Sequence, residues 1–181
     1  MPGSRPSLVL MGVSAAGKTV VGRDAAAIAG IPFLDADDLH PQTNVEKMAR
    51  GIPLDDADRA PWLDAVGDEL RAAAPCIMAC SALTRAYRAR LRELAPGTLF
   101  ALLDVPREVL EQRIAQREGH YMPPSLLDSQ LATLEAPAEG ERIVMLDGER
   151  SIAALAEQVA ALMADAPAAP HGPDAPGAPV G

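Results

Sequence analysis

Apolar residues along this chain follow two alternating rhythms. Five short, nearly unbroken apolar runs, SLVLMG (7–12), IPFLD (31–35), CIMACS (76–81), TLFALLDV (98–105) and RIVMLD (142–147), are separated by longer stretches whose apolar residues recur at helical spacing. Runs that lack polar alternation predict strands buried on both faces. Between them, PWLDAVGDEL sets Trp62, Val66 and Leu70 on one helical face with Pro61 in the first turn. SIAALAEQVAALM repeats Ile152, Leu155, Val159 and Leu162 behind a Ser151 cap. This alternation predicts an α/β fold with a five-stranded parallel sheet, helices on both faces and three layers. In such sheets ligands gather at the carboxyl ends of the strands.

The pattern runs over residues 7–164 and predicts one domain there, which suits 181 residues of which 49% are hydrophobic. From Asp165 to Gly181, thirteen of seventeen residues are Ala, Pro or Gly, with no periodic apolar face, so 165–181 reads as a disordered tail. The net charge of −9 repels nucleic-acid backbones and anionic lipid unless positive charge is gathered in one place. Aromatics make up only 3% of the chain, too few for a base-stacking platform, and no nucleic-acid partner is expected. The first apolar run is too short for a secretory segment, and no stretch approaches the roughly 18 apolar residues of a membrane span. Cys76 and Cys80 provide no disulfide framework, and no second Cys or His pair follows at ligand distance, so both read as buried thiols. A cytoplasmic protein is expected.

The strongest chemical signal follows the first run. Gly12-Val13-Ser14-Ala15-Ala16-Gly17-Lys18-Thr19 satisfies G-x-x-x-x-G-K-[ST], with an apolar strand before it and the helical stretch TVVGRDAAAIA after it. Such a loop wraps phosphate in successive backbone N–H groups at a helix N-terminus. Lys18 then reaches the β- and γ-phosphates, and the Thr19 hydroxyl ligates Mg²⁺. Ala15 and Ala16 stand where glycine or serine is common and resist positive φ, so the loop is expected to bind phosphate if its backbone stays right-handed at both. The chain lacks the N-K-x-D motif of a GTPase and the LSGGQ-like signature of a transporter ATPase. A small-molecule kinase that binds ATP remains.

Charge is unevenly distributed. Residues 35–69 hold ten acidic side chains against Lys47, Arg50 and Arg59, whereas 85–117 hold seven arginines against four acids. Asp35 and Asp37 end the second strand, where extended backbone would send both carboxylates to one side. One can hold the Mg²⁺ water shell while the other accepts the proton of a substrate hydroxyl. Arg113 and Arg117 share a helical face that yields at Gly119 to a loop closed by Pro123-Pro124. This predicts a mobile lid over about 113–125, its guanidinium forks neutralising charge on the transferring phosphoryl.

Three further strings, DADDLHPQTNVEKMARGIPLDDADRAPWL (35–63), CSALTRAYRARLR (80–92) and GHYMPPSLLDSQLATLE (119–135), resemble the bacterial-type gluconokinases, which are shikimate-kinase-like P-loop kinases. The resemblance covers roughly residues 8–160. It implies transfer of the γ-phosphoryl group of ATP to the 6-hydroxyl of D-gluconate, with Mg²⁺. By position it implies that Asp37 activates the attacking hydroxyl with Asp35 near Mg²⁺, and that His40, Arg59, Arg85 and Gln130 face the sugar acid. Arg113 and Arg117 would close on the phosphates, with Lys18, Asp37 and Arg117 the catalytic set, and a homodimer is implied. The family usually reads S-A-L-K-R where Thr84 replaces the lysine here, and G-S-G-K-S where Ala15-Ala16-Gly17-Lys18-Thr19 stands. Two other readings stay open: a kinase of another small sugar acid or hydroxy acid, and a nucleotide- or gluconate-sensing protein without turnover. Shikimate itself is disfavoured, because CSAL occupies the place of a shikimate kinase's glycine triplet. The presence of Lys18, Asp37 and Arg117 favours catalysis over sensing.

Overall fold

The structure, a computed structural model, describes residues 5–50, 52–116 and 124–166. Its strands are β1 (Leu8–Met11), β2 (Phe33–Asp35), β3 (Ile77–Ala79), β4 (Leu99–Asp104) and β5 (Ile143–Asp147). They form one parallel sheet in the order β2-β3-β1-β4-β5, with Val9 of β1 level with Met78 on one side and Phe100 on the other. The helices are α1 (Lys18–Ala29), α2 (Gln42–Ala49), α3 (Asp56–Ala72), α4 (Arg85–Leu94), α5 (Arg107–Ala115), α6 (Pro124–Thr133) and α7 (Ile152–Asp165). A 3-10 turn, Ala36–Leu39, follows β2 directly.

Strand alternation sorts the core into two layers. Leu8 and Leu10 face Val21 and Ala25 of α1 and Leu155 and Val159 of α7. Val9 and Met11 face the opposite way, with Trp62, Val66 and Leu70 of α3 and Leu91 of α4. The sheet is therefore covered on both sides, as its unbroken apolar runs require. The central strand β1 opens directly into the loop 12–17, so the loop is anchored in the best-buried part of the molecule.

Four expectations change. First, α3 begins at Asp56, not at Pro61, because Asp55 and Asp58 form a reciprocal capping box: each side chain accepts from the other's backbone N–H. Pro61 then lies in the second turn on the exposed side, where water can serve the carbonyl it leaves without an N–H. Second, Ser151 caps α7 as expected, but Ile152 is 47% exposed and the buried face is Leu155, Ala156, Val159, Ala160 and Met163. Third, α5 stops at Ala115, short of Gly119; Arg117, most of the expected lid and nearly all of the tail lie outside the described residues. Fourth, Asp37 is not on extended backbone but in the 3-10 turn that Asp35 caps.

Candidate active site

The turn from β1 into α1 carries its strain at defined positions. Gly12 and Gly17 take φ of 146° and 101°, which side chains disfavour, and Ala15 takes φ of 64°. The right-handed condition is thus not met at Ala15. The loop must curl there to turn its N–H groups inward, and alanine accepts a cost of about 1 kcal/mol to do so. The Lys18 ammonium donates to the Gly12 and Val13 carbonyls at 2.9 Å each, which folds it back across the loop.

Thr19, in the first turn of α1, donates its hydroxyl to Asp35 Oδ2 at 3.1 Å, joining the P-loop to the end of β2. Asp35 Oδ1 accepts the Asp37 N–H at 3.2 Å. The 3-10 turn replaces strand alternation, yet it still holds the two carboxyl groups close enough to repel. The Asp37 residue remains open to solvent, but the protein gathered around its carboxyl thins the hydration there. That desolvation, with Asp35 beside it, raises its pKa above the usual aspartate value, while Lys18 and His40 pull it down. Thr19 and Asp35 supply hard oxygen donors of the kind Mg²⁺ takes together with phosphate oxygens, so the donor set fits that ion.

Trp62 holds this turn from below. Its indole N–H donates to the Ala36 carbonyl at 2.7 Å, and its ring stacks on His40 with centroids 4.5 Å apart. Burial depresses the His40 pKa, opposed by Asp37 and assisted by Arg59, so the imidazole is neutral near pH 7. Buried Asn44 lies 3.4 Å from His40 Nδ1 and donates to the Asp58 carbonyl at 2.8 Å, tying α2 to α3. Arg59 donates to the Tyr87 hydroxyl at 2.9 Å. Asp37 and Arg59 both act electrostatically on His40, so the three share one neighbourhood.

The other expected residues have the following partners. Gln130 reaches the P-loop, where its Oε1 accepts the Ser14 N–H at 2.6 Å. The exposed Arg85 guanidinium donates to the Ala136 carbonyl at 3.2 and 3.1 Å, while its N–H is taken by Glu135. Arg113 donates to the Ala16 carbonyl at 3.0 Å and the Gly148 carbonyl at 2.7 Å, so its fork is engaged by backbone oxygens of the P-loop and of the turn after β5. Sequence reasoning did not find Asn44 or Tyr87 as contributors to this region, and it marked Thr84 only as a departure from the family's lysine. Thr84 accepts the Tyr87 N–H at 3.2 Å and caps α4, which a lysine there could not do; a hydroxyl residue before RAYRARL was the available signal. A cleft of about 460 Å³ lined by Arg5, Ile28, Pro75, Glu157 and Met163 lies elsewhere and shares no residue with this site.

The family model of the AAA domain matches residues 8–137. A gluconokinase of Gluconobacter oxydans is 46% identical over 147 residues, spanning 79% of this chain and 83% of the relative. The thermosensitive gluconokinase of Escherichia coli K12 is 42% identical over 157 residues, spanning 84% of each. The crystal structure of a gluconokinase from Sinorhizobium meliloti 1021 superposes with a TM-score of 0.81 at 45% identity, covering 88% of this chain and 92% of that one. A P-loop that passes through Thr19 and Asp35 to a second carboxylate, on a scaffold shared over most of both chains, leaves one conclusion: this chain belongs to the gluconokinase family of P-loop kinases.

Proposed function

We propose that the chain is a gluconokinase that transfers the γ-phosphoryl group of ATP to the 6-hydroxyl of D-gluconate. The observation that supports this reading is the Thr19–Asp35–Asp37 line beside Lys18: hard oxygen donors suited to a divalent ion stand next to a carboxylate suited to act as a general base. ATP phosphates bind the N–H groups of Gly12 to Thr19, with Lys18 on the β- and γ-oxygens. Thr19 and, partly through water, Asp35 would hold Mg²⁺, which when bound would neutralise phosphate charge.

Asp37 takes the proton of the 6-hydroxyl as its oxygen bonds to the γ-phosphorus, the β–γ bridging bond breaks and ADP leaves. A pKa above the ordinary aspartate value makes Asp37 a better proton acceptor than a fully hydrated carboxylate. Arg59 takes the gluconate carboxylate through its guanidinium fork, and neutral His40 offers its ring nitrogen to a sugar hydroxyl. Arg85 and Gln130 complete the sugar-acid side, with Gln130 reporting to the phosphate loop through Ser14. Arg113 steadies the P-loop from its carbonyl side, and Arg117 supplies charge to the transferring phosphoryl. The same reading makes the enzyme a cytoplasmic homodimer, which sedimentation of the purified protein and cell fractionation test.

A coupled ADP-release assay with Mg-ATP against gluconate, shikimate and several other aldonic acids tests the substrate. Gluconate-dependent turnover exceeding that with the other acids is expected; its absence sinks the reading.

A further inference from the structure

Arg59 sits one helical turn after Asp56 on α3, a spacing at which arginine and aspartate commonly pair directly. Here a third group stands between them. The Tyr87 hydroxyl, presented from α4, accepts from Arg59 Nη1 at 2.9 Å and donates to Asp56 Oδ1 at 2.7 Å. The phenol ring also lies against the guanidinium, with Cζ 5.6 Å from its centroid. Among the described residues, Arg59 forms no ion pair, although acidic side chains crowd this part of α3.

The chemistry of that arrangement is specific. A carboxylate on Arg59 would cancel its charge and occupy the fork, whereas a phenol is a neutral acceptor that orients the fork and leaves the remaining N–H donors to an incoming anion. Asp56 in turn fixes the hydroxyl proton, so the oxygen lone pairs face Arg59. Tyr87 is delivered to this point by the first turn of α4, whose cap, Thr84, binds the Tyr87 N–H. We propose that Tyr87 is a positioning residue for substrate binding: it keeps the Arg59 guanidinium oriented and out of a direct ion pair, with its remaining N–H donors open to the carboxylate end of the sugar acid. The proposal rests on the reading of Arg59 as the carboxylate fork.

The test is a double-mutant cycle on the full chain, with KM and kcat for gluconate, KM for ATP and melting temperature measured for Tyr87→Phe, Arg59→Ala and the double variant. Tyr87→Phe keeps the ring and removes only the hydroxyl. It is expected to raise the gluconate KM about tenfold with kcat within about twofold and the ATP KM unchanged. In the Arg59→Ala background it is expected to add nothing further to the gluconate KM. An unchanged gluconate KM in Arg59→Ala overturns the carboxylate-fork reading itself. A raised KM in Arg59→Ala with no change in Tyr87→Phe overturns the present proposal alone. The same holds if the two effects simply add, which makes Tyr87 independent of Arg59, or if kcat and ATP affinity fall together with gluconate affinity or Tyr87→Phe is recovered unfolded, either of which marks Tyr87 as structural.

Discussion

Asp37 concentrates the conflict between stability and chemistry in one side chain. Its carboxyl has a folded-state pKa above the unfolded value, so the folded state binds this proton more tightly than the unfolded chain does. Its contribution therefore favours folding at low pH and is lost as pH rises through the folded pKa, leaving the ionised carboxylate a liability at pH 7. Asp37→Asn is therefore expected to melt at or above the wild-type temperature at pH 7 while kcat falls by on the order of 10²-fold or more, as circular dichroism and the coupled assay would show. The acid limb of the wild-type kcat/KM profile is expected above the ordinary aspartate value of 3.8. Lys18→Ala is expected to lower kcat by a comparable order with the fold intact. Ala15, at φ of 64°, offers the opposite test: Ala15→Gly relieves left-handed strain and is expected to stabilise by about 1 kcal/mol in a urea titration. The motif itself was legible residue by residue, because its spacing is the chemistry. The φ of Ala15 was not, because it depends on how the loop closes back on α1.

At the scale of elements, the helix caps decide what periodicity cannot. Apolar spacing located the buried face of α3 at Trp62, Val66 and Leu70, and these are buried. Its start was misplaced, since the Asp55–Asp58 box satisfies N–H groups that Pro61 at the first turn would have left to water. Thr84 is the corresponding device on α4, where a hydroxyl stands in the family's lysine position. Thr84→Ala is expected to cost about 0.5–2 kcal/mol by loss of the cap, measured by urea denaturation. Because the capped turn carries Tyr87, the gluconate KM is expected to rise with it. A result in which stability falls and KM does not would separate the cap from the substrate pocket.

Across the whole molecule, a buried ionic cluster joins parts distant in the chain. Arg88 is 0% exposed, pairs with Glu141 at 2.7 and 2.9 Å, and donates to the Ala82 and Leu83 carbonyls. Those carbonyls belong to the loop after β3, where Ala82 is held at φ of 43°. Arg92 adds a second guanidinium to Glu141 at 3.2 Å and lies over the Phe100 ring. The Arg88 bond in particular holds the Glu141 carboxyl down at about 2 from an unperturbed 4.5. A depressed folded-state pKa stabilises at pH above the unfolded value and loses that contribution as pH falls through the folded one. Wild-type stability is thus expected to fall between about pH 4.5 and 2 more steeply than that of Glu141→Gln, as read by acid titration of fluorescence. At pH 7, Glu141→Gln is expected to be the less stable, by roughly 3–5 kcal/mol, because it strands the Arg88 charge in the interior.

Taken alone, the sequence determined the α/β alternation, the phosphate loop and the carboxylates at the end of the second strand. Each depends on residues close together in the chain, whose hydrophobic period or motif spacing is itself the physical signal. Only the tertiary structure decided that Gln130 meets Ser14, that Arg113 meets the P-loop carbonyls, that Tyr87 stands between Asp56 and Arg59, and that Glu141 neutralises Arg88. Those partners are separated by tens of residues. Their pairing is set by which helices the parallel sheet brings side by side, and no local pattern encodes it.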